Sequence, residues 1–561
     1  MRRQEAYDAI VVGSGISGGW AAKELTERGL RTLVLEAGGP IDPAADYTMT
    51  VQPWELPHRG RRDRERQERE RPVQRECYAC DAWSERFFVR DDENPYTTAP
   101  DTDFLWIRSR QVGGRSIVWG RQVYRWSDLD FEANARDGFG VDWPIRYADL
   151  EPWYDHVERF IGVSGQPEGL PQLPDSRFLP PMELNCAERF VKDGLARRYD
   201  DRVLTIGRCA ILTVAHNGRA PCHYCGTCER GCTTHSYFSS LAATLPAARA
   251  TGRMTLRPHS VVHRVLHDPA TGRARGVAAI DAETGEDLEF EARVVFLCAS
   301  ALESTRLLLL STSERWPAGL ANSSGQVGKN LMDHTMGGGA RATIPGLEDK
   351  WVYGRRPNGI YLPRFRNVAD AHPDYLRSYA YQGGAGRGGW GRGNDMEGFG
   401  ADFKHALREP GPWEFTFYGF GACLPRESNF ATLDPERVDR WGIPALRIHC
   451  QWSENEHAML EDMSVQAAEM LEAVGARDVS PFVEENPPGL TIHEMGTARM
   501  GRDPATSVLN GFNQAWDVPN LFITDGAAMT SSANQNPSLT YMALTARAAS
   551  HAVELLDRGE L

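Results

Sequence analysis

Near the start of the chain, two short apolar runs flank a helix-like segment. Residues 10–12 form the first run and residues 32–35 the second, while residues 19–28 carry the helix-like pattern. Apolar runs of this length beside glycines favour buried strands. The pattern therefore predicts a strand–turn–helix–strand unit that ends on Glu36.

The turn of this unit has the spacing G-x-G-x-x-G, with Gly13, Gly15 and Gly18. The first glycine permits the tight turn, the second lets the backbone approach a pyrophosphate, and the third lets the helix pack close to the strand. The helix N-terminus offers free N–H groups to the phosphates. Glu36 can accept hydrogen bonds from ribose hydroxyls. The motif predicts a dinucleotide site without distinguishing FAD from NAD.

Further along, the pattern predicts alternating strands and helices, and then a region made mainly of strands. From about residue 340 to 488, strand-like segments are rich in glycine and aromatic residues. Trp413, Phe415 and Phe417 alternate with polar neighbours, which predicts a mostly antiparallel sheet with one covered face. The other predicted strands are residues 256–266, 276–280 and 289–297, and the predicted helices are residues 147–160, 240–249, 300–311, 453–474 and 542–558.

Composition and charge limit the function classes. A chain of 561 residues is long enough for two large domains, and its net charge of −14 argues against general nucleic-acid affinity. There is no apolar run of about 18 residues, so no membrane span is predicted. Because no apolar signal region precedes the first strand, the cytoplasm is the simplest compartment. A processed chain, or export alongside a signal-bearing partner subunit, is the alternative.

The chain has 11 cysteines, and an odd count without a signal sequence argues against a disulfide scaffold. Cys77 and Cys80 form a C-x-x-C pair that could bind metal or be redox-active. Since the pair has no matching second pair, we favour buried or partner-facing thiols.

Four further cysteines crowd into one short segment with the spacing C-x2-C-x2-C-x3-C. These are Cys222, Cys225, Cys228 and Cys232. Such spacing lets one loop wrap thiolates around an iron–sulfur cluster, which we favour as the interpretation. Zinc usually takes two separated pairs, and structural thiols without metal are the third alternative. The spacing alone does not fix whether three or four of the cysteines are ligands.

With these pieces in hand, the chain resembles the glucose–methanol–choline (GMC) flavoprotein oxidoreductases. The resemblance covers nearly the whole chain as motifs in order. They are the N-terminal unit with Glu36, the Gly113-Gly114…Trp119 loop, the helix at 299–311, the loop at 327–334, His493-x-x-Gly496-Thr497, and Asp525…Asn536-Pro537. The resemblance implies that the nucleotide is FAD.

The family also implies roles for individual residues. His493 would be the catalytic histidine, and Asn536 matches the second active-site position, which is His or Asn in this family. The implied FAD contacts are Gly13, Gly15, Gly18 and Glu36 at the ADP half, Val262 at the adenine, Gly113, Gly114 and Ser116 at the flavin, and Asp525 with Gly526 near the pyrophosphate and ribityl chain.

These two residue types suit alcohol oxidation, which removes a hydroxyl proton and transfers a hydride to flavin N5. A neutral histidine can take the proton because its unperturbed pKa is about 6.5. Asn536 can orient the hydroxyl without competing for the proton.

Two features separate the chain from simpler relatives. In relatives resembling pyranose oxidase, a histidine before the loop tryptophan bonds covalently to the flavin. Here that residue is Val118, so noncovalent FAD is predicted. The cysteine segment resembles that of bacterial gluconate, glucose and glucoside-3-dehydrogenase catalytic subunits.

Within that group, Cys222, Cys228 and Cys232 match a three-iron pattern, and Cys225 is extra. Both [3Fe–4S] and [4Fe–4S] clusters therefore stay open. A cluster would give electrons an exit other than oxygen, towards an external acceptor such as a small subunit, a cytochrome or a ferredoxin.

Together these features predict an α/β protein with a Rossmann-like FAD-binding domain and an inserted antiparallel-sheet substrate domain. The expected function is an FAD-dependent dehydrogenase that oxidises a secondary hydroxyl of a sugar or glycoside to a ketone, with C3 of a glucoside favoured. An oxygen-using oxidase and a non-catalytic flavin electron-transfer subunit are the rivals. The expected FAD-binding domain comprises residues 1–45, 102–130, 190–339 and 489–561, and the substrate domain with its insertions comprises 46–101, 131–189 and 340–488.

Overall fold

The computed structural model describes Arg2–Arg3 and residues 6–561. The strands are β1 (Arg2–Arg3), β2 (Tyr7–Val12), β3 (Thr32–Leu35), β4 (Thr97–Thr98), β5 (Val163–Ser164), β6 (Phe178–Leu179), β7 (Thr205–Ile206), β8 (Met254–Arg257), β9 (Ser260–Asp268), β10 (Arg273–Asp281), β11 (Asp287–Leu297), β12 (His334–Ile344), β13 (Ile360–Leu362), β14 (Tyr379–Arg387), β15 (Trp413–Ala422), β16 (Phe430–Val438), β17 (Pro444–His449), β18 (Arg477–Val483) and β19 (Leu521–Ile523). The helices are α1 (Ile16–Glu27), α2 (Pro43–Asp46), α3 (Arg64–Glu70), α4 (Asp128–Phe131), α5 (Ala133–Asp137), α6 (Tyr147–Ile161), α7 (Cys186–Ala196), α8 (Thr244–Ala250), α9 (Ala301–Leu310), α10 (Gly400–Arg408), α11 (Glu454–Ala473) and α12 (Ser538–Asp557).

The N-terminal unit is β2, α1 and β3, as predicted, but α1 begins three residues earlier than the pattern indicated. Its first turn contains Gly18, which the pattern assigned to the turn, followed by Gly19. A Cβ on Gly18 would lie 2.0 Å from the carbonyl oxygen of Gly13, and one on Gly19 would lie 2.4 Å from Thr244 Oγ1. These glycines therefore belong to the helix, where they permit close packing on the strand and on α8.

The first sheet has a parallel core in the order β8-β3-β2-β11-β19. The long strand β11 joins two pairing modes: its first half pairs antiparallel with β10, and its second half pairs parallel with β2 and β19. Helices α1 and α12 pack together on this sheet through apolar side chains such as Leu25 and Ala552. The carboxyl ends of the parallel strands share one edge, which is where open α/β sheets bind nucleotides.

The single strand predicted at residues 256–266 is wrong. The chain forms β8 at one edge of the first sheet and β9 at the other. Pro258 and His259 separate the two strands, and His259 has a left-handed φ of 55°. Its N–H donates to the carbonyl of Gly38, so the chain crosses the sheet at this point.

The second sheet runs in the order β18-β12-β15-β14-β13-β7, and each of these pairings is antiparallel. Trp413, Phe415 and Phe417 are buried, and Glu414 is exposed, as the alternation predicted. Helix α11 packs on this sheet. A dinucleotide-binding type of α/β unit and an antiparallel sheet are therefore both present in one chain.

The remaining predicted helices are present with shifted ends. Helices α6, α9 and α11 match the predictions within one residue at each end. Helix α8 begins at Thr244 rather than at residue 240, and α12 begins at Ser538 rather than at residue 542. The Ser453 and Glu456 side chains form a capping box at the start of α11. Among the described residues, no helix combines the length and apolar character needed to cross a membrane.

Candidate active site

A cavity of about 890 Å³ lies between the two sheets. Glu36 and Gly13 line it from the first sheet, and Gln382 and Tyr418 line it from the second. Its volume lies within the range of about 300–1,000 Å³ that is typical of cofactor and ligand pockets. It therefore has room for an elongated ligand that reaches from one sheet to the other.

The dinucleotide end of the cavity is pre-formed around Glu36. Ser14 Oγ donates to Glu36 Oε2 over 2.6 Å, and the Gly38 N–H donates to Oε1 over 3.0 Å. Burial raises the pKa of Glu36, and these hydrogen bonds oppose that rise. Gly15 precedes α1, and a Cβ placed on it would meet no other described atom within 4 Å. That free space beside a helix N-terminus fits a pyrophosphate.

The loop that begins at Gly113 and Gly114 is tied to the glycine motif by hydrogen bonds. The Gly113 N–H donates to Ser14 Oγ over 3.0 Å, and Ser116 Oγ donates to the Gly113 carbonyl over 2.5 Å. Gly114 and Ser116 line the cavity, whereas Gly18 and Gly113 lie behind its wall. The structure thus brings these predicted residues together, although only some of them face the ligand space.

The other predicted FAD contacts also line the cavity. Val262 faces it from β9, and Asp525 and Gly526 face it from the turn after β19. Burial raises the pKa of Asp525 to about 6, although hydrogen bonds from Ser304 Oγ and from the N–H of Ala527 oppose the shift. A Cβ on Gly526 would lie 2.2 Å from the carbonyl oxygen of Glu494, so this position requires glycine.

His493 and Asn536 meet at the other end of the cavity, as predicted. Asn536 Nδ2 lies 3.4 Å from His493 Nε2, and both residues line the cavity. Burial lowers the pKa of His493 well below its usual value, and the neighbouring His334 and Arg115 lower it further. His493 is therefore neutral and able to accept a proton.

Several residues around this pair were not singled out from the sequence. Asp333 accepts hydrogen bonds from the N–H groups of Gly489, at 2.7 Å, and His493, at 3.1 Å, and so fixes the loop that carries His493. Arg115 makes two hydrogen bonds to the Glu494 carboxylate, at 3.0 and 2.9 Å. These contacts join segments far apart in the chain, and no local pattern indicates them.

The four-cysteine segment surrounds a second, much smaller cavity. All four of its cysteines line this cavity, together with Ile211 and Tyr237. Cys222, Cys228 and Cys232 are half-buried, and Cys225 is exposed. In the part of the chain that the structure describes, no group of three His, Cys, Asp or Glu side chains is placed to hold a metal ion.

Hydrogen-bond donors surround the sulfurs. The Tyr224 N–H donates to Cys222 Sγ over 3.4 Å, and the hydroxyls of Thr227 and Thr234 lie 3.3 Å from the sulfurs of Cys225 and Cys232, respectively. Such donors stabilise thiolates. The segment therefore offers four thiols with hydrogen-bond donors at three of them, but the described side chains are not placed to hold a metal ion.

The cysteine segment reaches the large cavity through Glu229, which lines it. Arg121 also lines the cavity, and its Nη2 lies 3.5 Å from Glu229 Oε1. Burial raises the pKa of Cys228 to about 12, and the Arg121 charge opposes this rise. The two cavities are thus neighbours separated by a buried guanidinium.

Cys77 and Cys80 are both buried free thiols. Burial raises the pKa of each thiol, that of Cys80 to about 12. This agrees with their interpretation as buried thiols and not as a reactive pair.

Comparison with known proteins identifies the family. Models described as GMC oxidoreductase match residues 207–336 and 425–545. The chain is 30% identical to 2-methyl-1,2-propanediol dehydrogenase of Mycolicibacterium austroafricanum, over 96% of this chain and 94% of that protein. The chain belongs to the GMC oxidoreductase family. It is a flavoprotein-type oxidoreductase that acts on CH–OH groups, and its fold is the GMC fold, as the resemblance implied.

Two further GMC relatives are similar to this chain. The fructose dehydrogenase large subunit of Gluconobacter japonicus is 25% identical over 98% of both chains. A C-glycoside 3-oxidase of Microbacterium trichothecenolyticum is 27% identical over 54% of each chain. GMC flavoproteins bind FAD, and the cavity reaches from the Glu36 region to His493 and Asn536.

Proposed function

We propose that this GMC oxidoreductase is a dehydrogenase that oxidises a secondary hydroxyl of a sugar or glycoside to a ketone, with C3 of a glucoside as first choice. The observation that carries the proposal is the neutral His493 beside Asn536 at the end of a cavity that also has a dinucleotide cradle. The intact pair argues against a non-catalytic electron-transfer subunit.

In this proposal the substrate hydroxyl takes the place of the Asn536 N–H at His493 Nε2. Nε2 then accepts the hydroxyl proton, and Asn536 Nδ2 donates a hydrogen bond to the hydroxyl oxygen. The O–H and C–H bonds break as the C=O bond forms, and the hydride leaves with the C–H electron pair. Bound FAD would supply the hydride acceptor. Glu36, Gly15, Gly114, Ser116 and Asp525 would hold it.

FAD would be bound noncovalently. In some relatives a histidine before the loop tryptophan bonds to the flavin, and this chain has Val118 at that position. Val118 is buried there and lines the cavity. Its hydrocarbon side chain has no atom that can bond to a flavin. Retention of FAD would therefore depend on the cradle alone.

A sugar substrate fits the residues that the second sheet contributes. Tyr418, Phe420 and Gln382 line the cavity from β14 and β15. Aromatic faces and a primary amide suit a ring with several hydroxyls. The names of two relatives, a fructose dehydrogenase subunit and a C-glycoside 3-oxidase, support a sugar, and C3 of a glucoside rests on that resemblance.

We propose two domains with the boundaries that were expected from the sequence. The FAD-binding part would comprise residues 1–45, 102–130, 190–339 and 489–561, and the substrate part would comprise residues 46–101, 131–189 and 340–488. Both the cradle around Glu36 and the His493 loop fall in the first part, and Gln382 and Tyr418 fall in the second.

The cysteine segment would hold an iron–sulfur cluster, either [3Fe–4S] or [4Fe–4S]. Its support is the shared cavity of the four cysteines and the donors at their sulfurs. A cluster there would supply a one-electron carrier next to the cavity. A partner such as a small subunit, a cytochrome or a ferredoxin would take the electrons, and the relative named as a large subunit supports such a partner.

The test is anaerobic bleaching of the bound flavin with a panel of D-glucose, methyl glucosides, D-fructose and 2-methyl-1,2-propanediol. We expect the glucosides to bleach the flavin fastest, and iron to be present in the same sample. Bleaching by the diol alone would overturn the sugar assignment. Rapid hydrogen peroxide formation in air, without reduction of artificial acceptors, would identify an oxidase instead.

A further inference from the structure

Four polar side chains form a line at the catalytic end of the cavity: Gln382, Asn536 and His493 line the cavity, and His334 lies buried behind His493. Gln382 Nε2 donates to Asn536 Oδ1 over 2.8 Å, and Asn536 Nδ2 lies 3.4 Å from His493 Nε2. On the far side of the ring, His493 Nδ1 lies 3.0 Å from His334 Nδ1. The four residues come from β14, from the turn before α12, from the loop before Gly496 and from the start of β12.

In the orientation that the structure gives the two amides, Gln382 Nε2 donates to Asn536 Oδ1, and Asn536 Nδ2 faces His493. An amide N–H needs a lone pair on its partner. With the amides in this orientation, His493 Nε2 must therefore be unprotonated, which makes it the ring nitrogen that can take a hydroxyl proton.

A neutral imidazole carries one ring proton, so the proton of His493 lies on Nδ1. Its neighbour there is His334 Nδ1, which must accept. His334 then carries its own proton on Nε2. His334 Nε2 is buried and has no hydrogen-bond partner of ordinary geometry among the described residues. The backbone of Ala533 nevertheless raises the pKa of the His334 ring, which favours a proton there.

Burial keeps both rings neutral. It lowers the pKa of His334 to about 4, and it lowers that of His493 well below the usual value. The charged groups around the pair are already engaged: Arg115 pairs with Glu494, and Asp333 accepts hydrogen bonds from backbone N–H groups and from Thr491. The ring-to-ring contact is therefore between two neutral groups.

We propose that His334 and Gln382 are positioning residues that together hold His493 in the tautomer with an unprotonated Nε2. The inference rests on the proposed role of His493 as base and explains how that base is kept ready. Gln382 acts through Asn536, and His334 acts directly on Nδ1. A neutral acceptor such as His334 orients the ring as a carboxylate would, without placing a negative charge behind it.

Substitutions at His334 separate hydrogen bonding from packing. In His334→Asn the amide oxygen can take the place of Nδ1 as acceptor, whereas His334→Leu removes the acceptor and fills similar space. We expect the rate constant of anaerobic flavin reduction to fall about 10–100-fold in His334→Leu, with little change in KM, and to recover most of that loss in His334→Asn. Equal rates in the two variants would overturn the role of His334.

Substitutions at Gln382 give a sharper contrast, because a hydrocarbon and a carboxylate at this position should act differently on the Asn536 amide. Gln382→Leu removes the donor, which frees the Asn536 amide to take either orientation. Gln382→Glu presents an acceptor, which draws Asn536 Nδ2 away from His493 and favours the wrong tautomer. We expect Gln382→Glu to be slower than Gln382→Leu despite its closer shape, and the reverse order would contradict the inference.

A measurement without substrate completes the test. Nitrogen-15 NMR of histidine-labelled holoenzyme, with His493→Ala and His334→Leu used to assign signals, should show His493 protonated at Nδ1 and bare at Nε2. A signal from protonated Nε2 would overturn the inference. The FAD content and melting temperature of each variant serve as folding controls.

The same experiments separate this inference from the proposed function. If His493→Ala reduces its flavin as fast as the unmodified enzyme, the base assignment itself fails. If His493→Ala is inactive while His334→Leu and Gln382→Glu react normally, only the positioning inference fails.

Discussion

The large cavity and the cysteine segment are neighbours that are built in opposite ways. The cavity is framed by strands and helices that belong to two sheets. Glu36 and Asn536 are buried in its wall, His493 and Gln382 are half-buried, and all four are hydrogen-bonded. The cysteine segment is irregular chain with one short helical turn, Cys228–Arg230, and its sulfurs are half-buried or exposed. The fold therefore supplies the first site in full, while the second depends on what it binds.

The two sites also differ in how burial affects the protonation of their functional groups. In the cavity, burial favours the form that the chemistry needs, because a neutral His493 is the base. In the cysteine segment, burial raises the pKa of Cys222 and Cys228 and so favours thiols over the thiolates that bind metal. A bound metal deprotonates its thiol ligands outright. Metal binding and local order should thus be coupled in the segment but not in the cavity.

The largest expected effect is the loss of the base. In His493→Ala, flavin reduction by substrate should slow by about 10²–10⁴-fold, since general base catalysis contributes that much. Stopped-flow absorbance under anaerobic conditions measures it. FAD and iron content should stay as in the unmodified enzyme, because His493 belongs to the cavity alone. Loss of iron in this variant would show that the two sites are not independent.

A pair of glycine substitutions tests whether the cradle alone retains FAD. Gly15→Val should fold but bind FAD at least about tenfold more weakly, a loss of about 1.4 kcal/mol, because its Cβ points into free ligand space. Gly18→Ala is the contrast, since its Cβ would collide with the Gly13 carbonyl and destabilise the apoprotein itself. Flavin absorbance after gel filtration and apoprotein melting temperatures measure both. Full FAD retention in Gly15→Val would contradict the assignment.

The cysteines should differ in their effect on iron content. Cys228→Ser should lose most of the bound iron, because Cys228 is half-buried against the apolar core of the segment. Cys225→Ser should lose less, since Cys225 is exposed. Cys186→Ser, outside the segment, is the matched control. Equal losses at positions 225 and 228 would indicate four ligands, and unchanged iron in Cys228→Ser would remove the cluster assignment.

The smallest expected effect is that of pH on the catalytic step. A lowered pKa keeps His493 in its neutral, base-competent form as pH falls below 6.5. We therefore expect His493 to cause less than about a twofold change in kcat/KM between about pH 7.5 and 5.5, where an unperturbed histidine would lose most of its activity. Asp525, whose pKa burial raises to about 6, titrates in the same window, so the profile is also measured in Asp525→Asn. An acid limb centred near pH 6.5 in both proteins would show that burial does not control His493.

The contrast between local and tertiary information explains what the sequence could predict. The strand–turn–helix–strand unit, the aromatic alternation around Phe415 and the closing helix follow from periodicity, which reports the face that each element buries. His493 and Asn536 followed from a family motif. Each of these signals lies within a short stretch of chain.

The rest depended on contacts between distant segments. The His334 and His493 rings lie 159 residues apart in sequence, and the Gln382–Asn536 bond spans 154 residues. The crossing at Pro258 and His259 was missed for the same reason, because a continuous apolar pattern does not show that two strands lie at opposite edges of one sheet.

The packing of α1 on α12 has a consequence for biosynthesis. Leu25 and its neighbours on α1 are covered by residues such as Ala549 and Ala552 of α12. At about 5–20 residues per second, the ribosome would need roughly 25–100 s to make the chain between the two helices. The apolar face of α1 would stay uncovered throughout that time. We therefore expect chaperones to bind the nascent chain. Truncation before α12 should leave the apolar face of α1 exposed and the protein prone to aggregation.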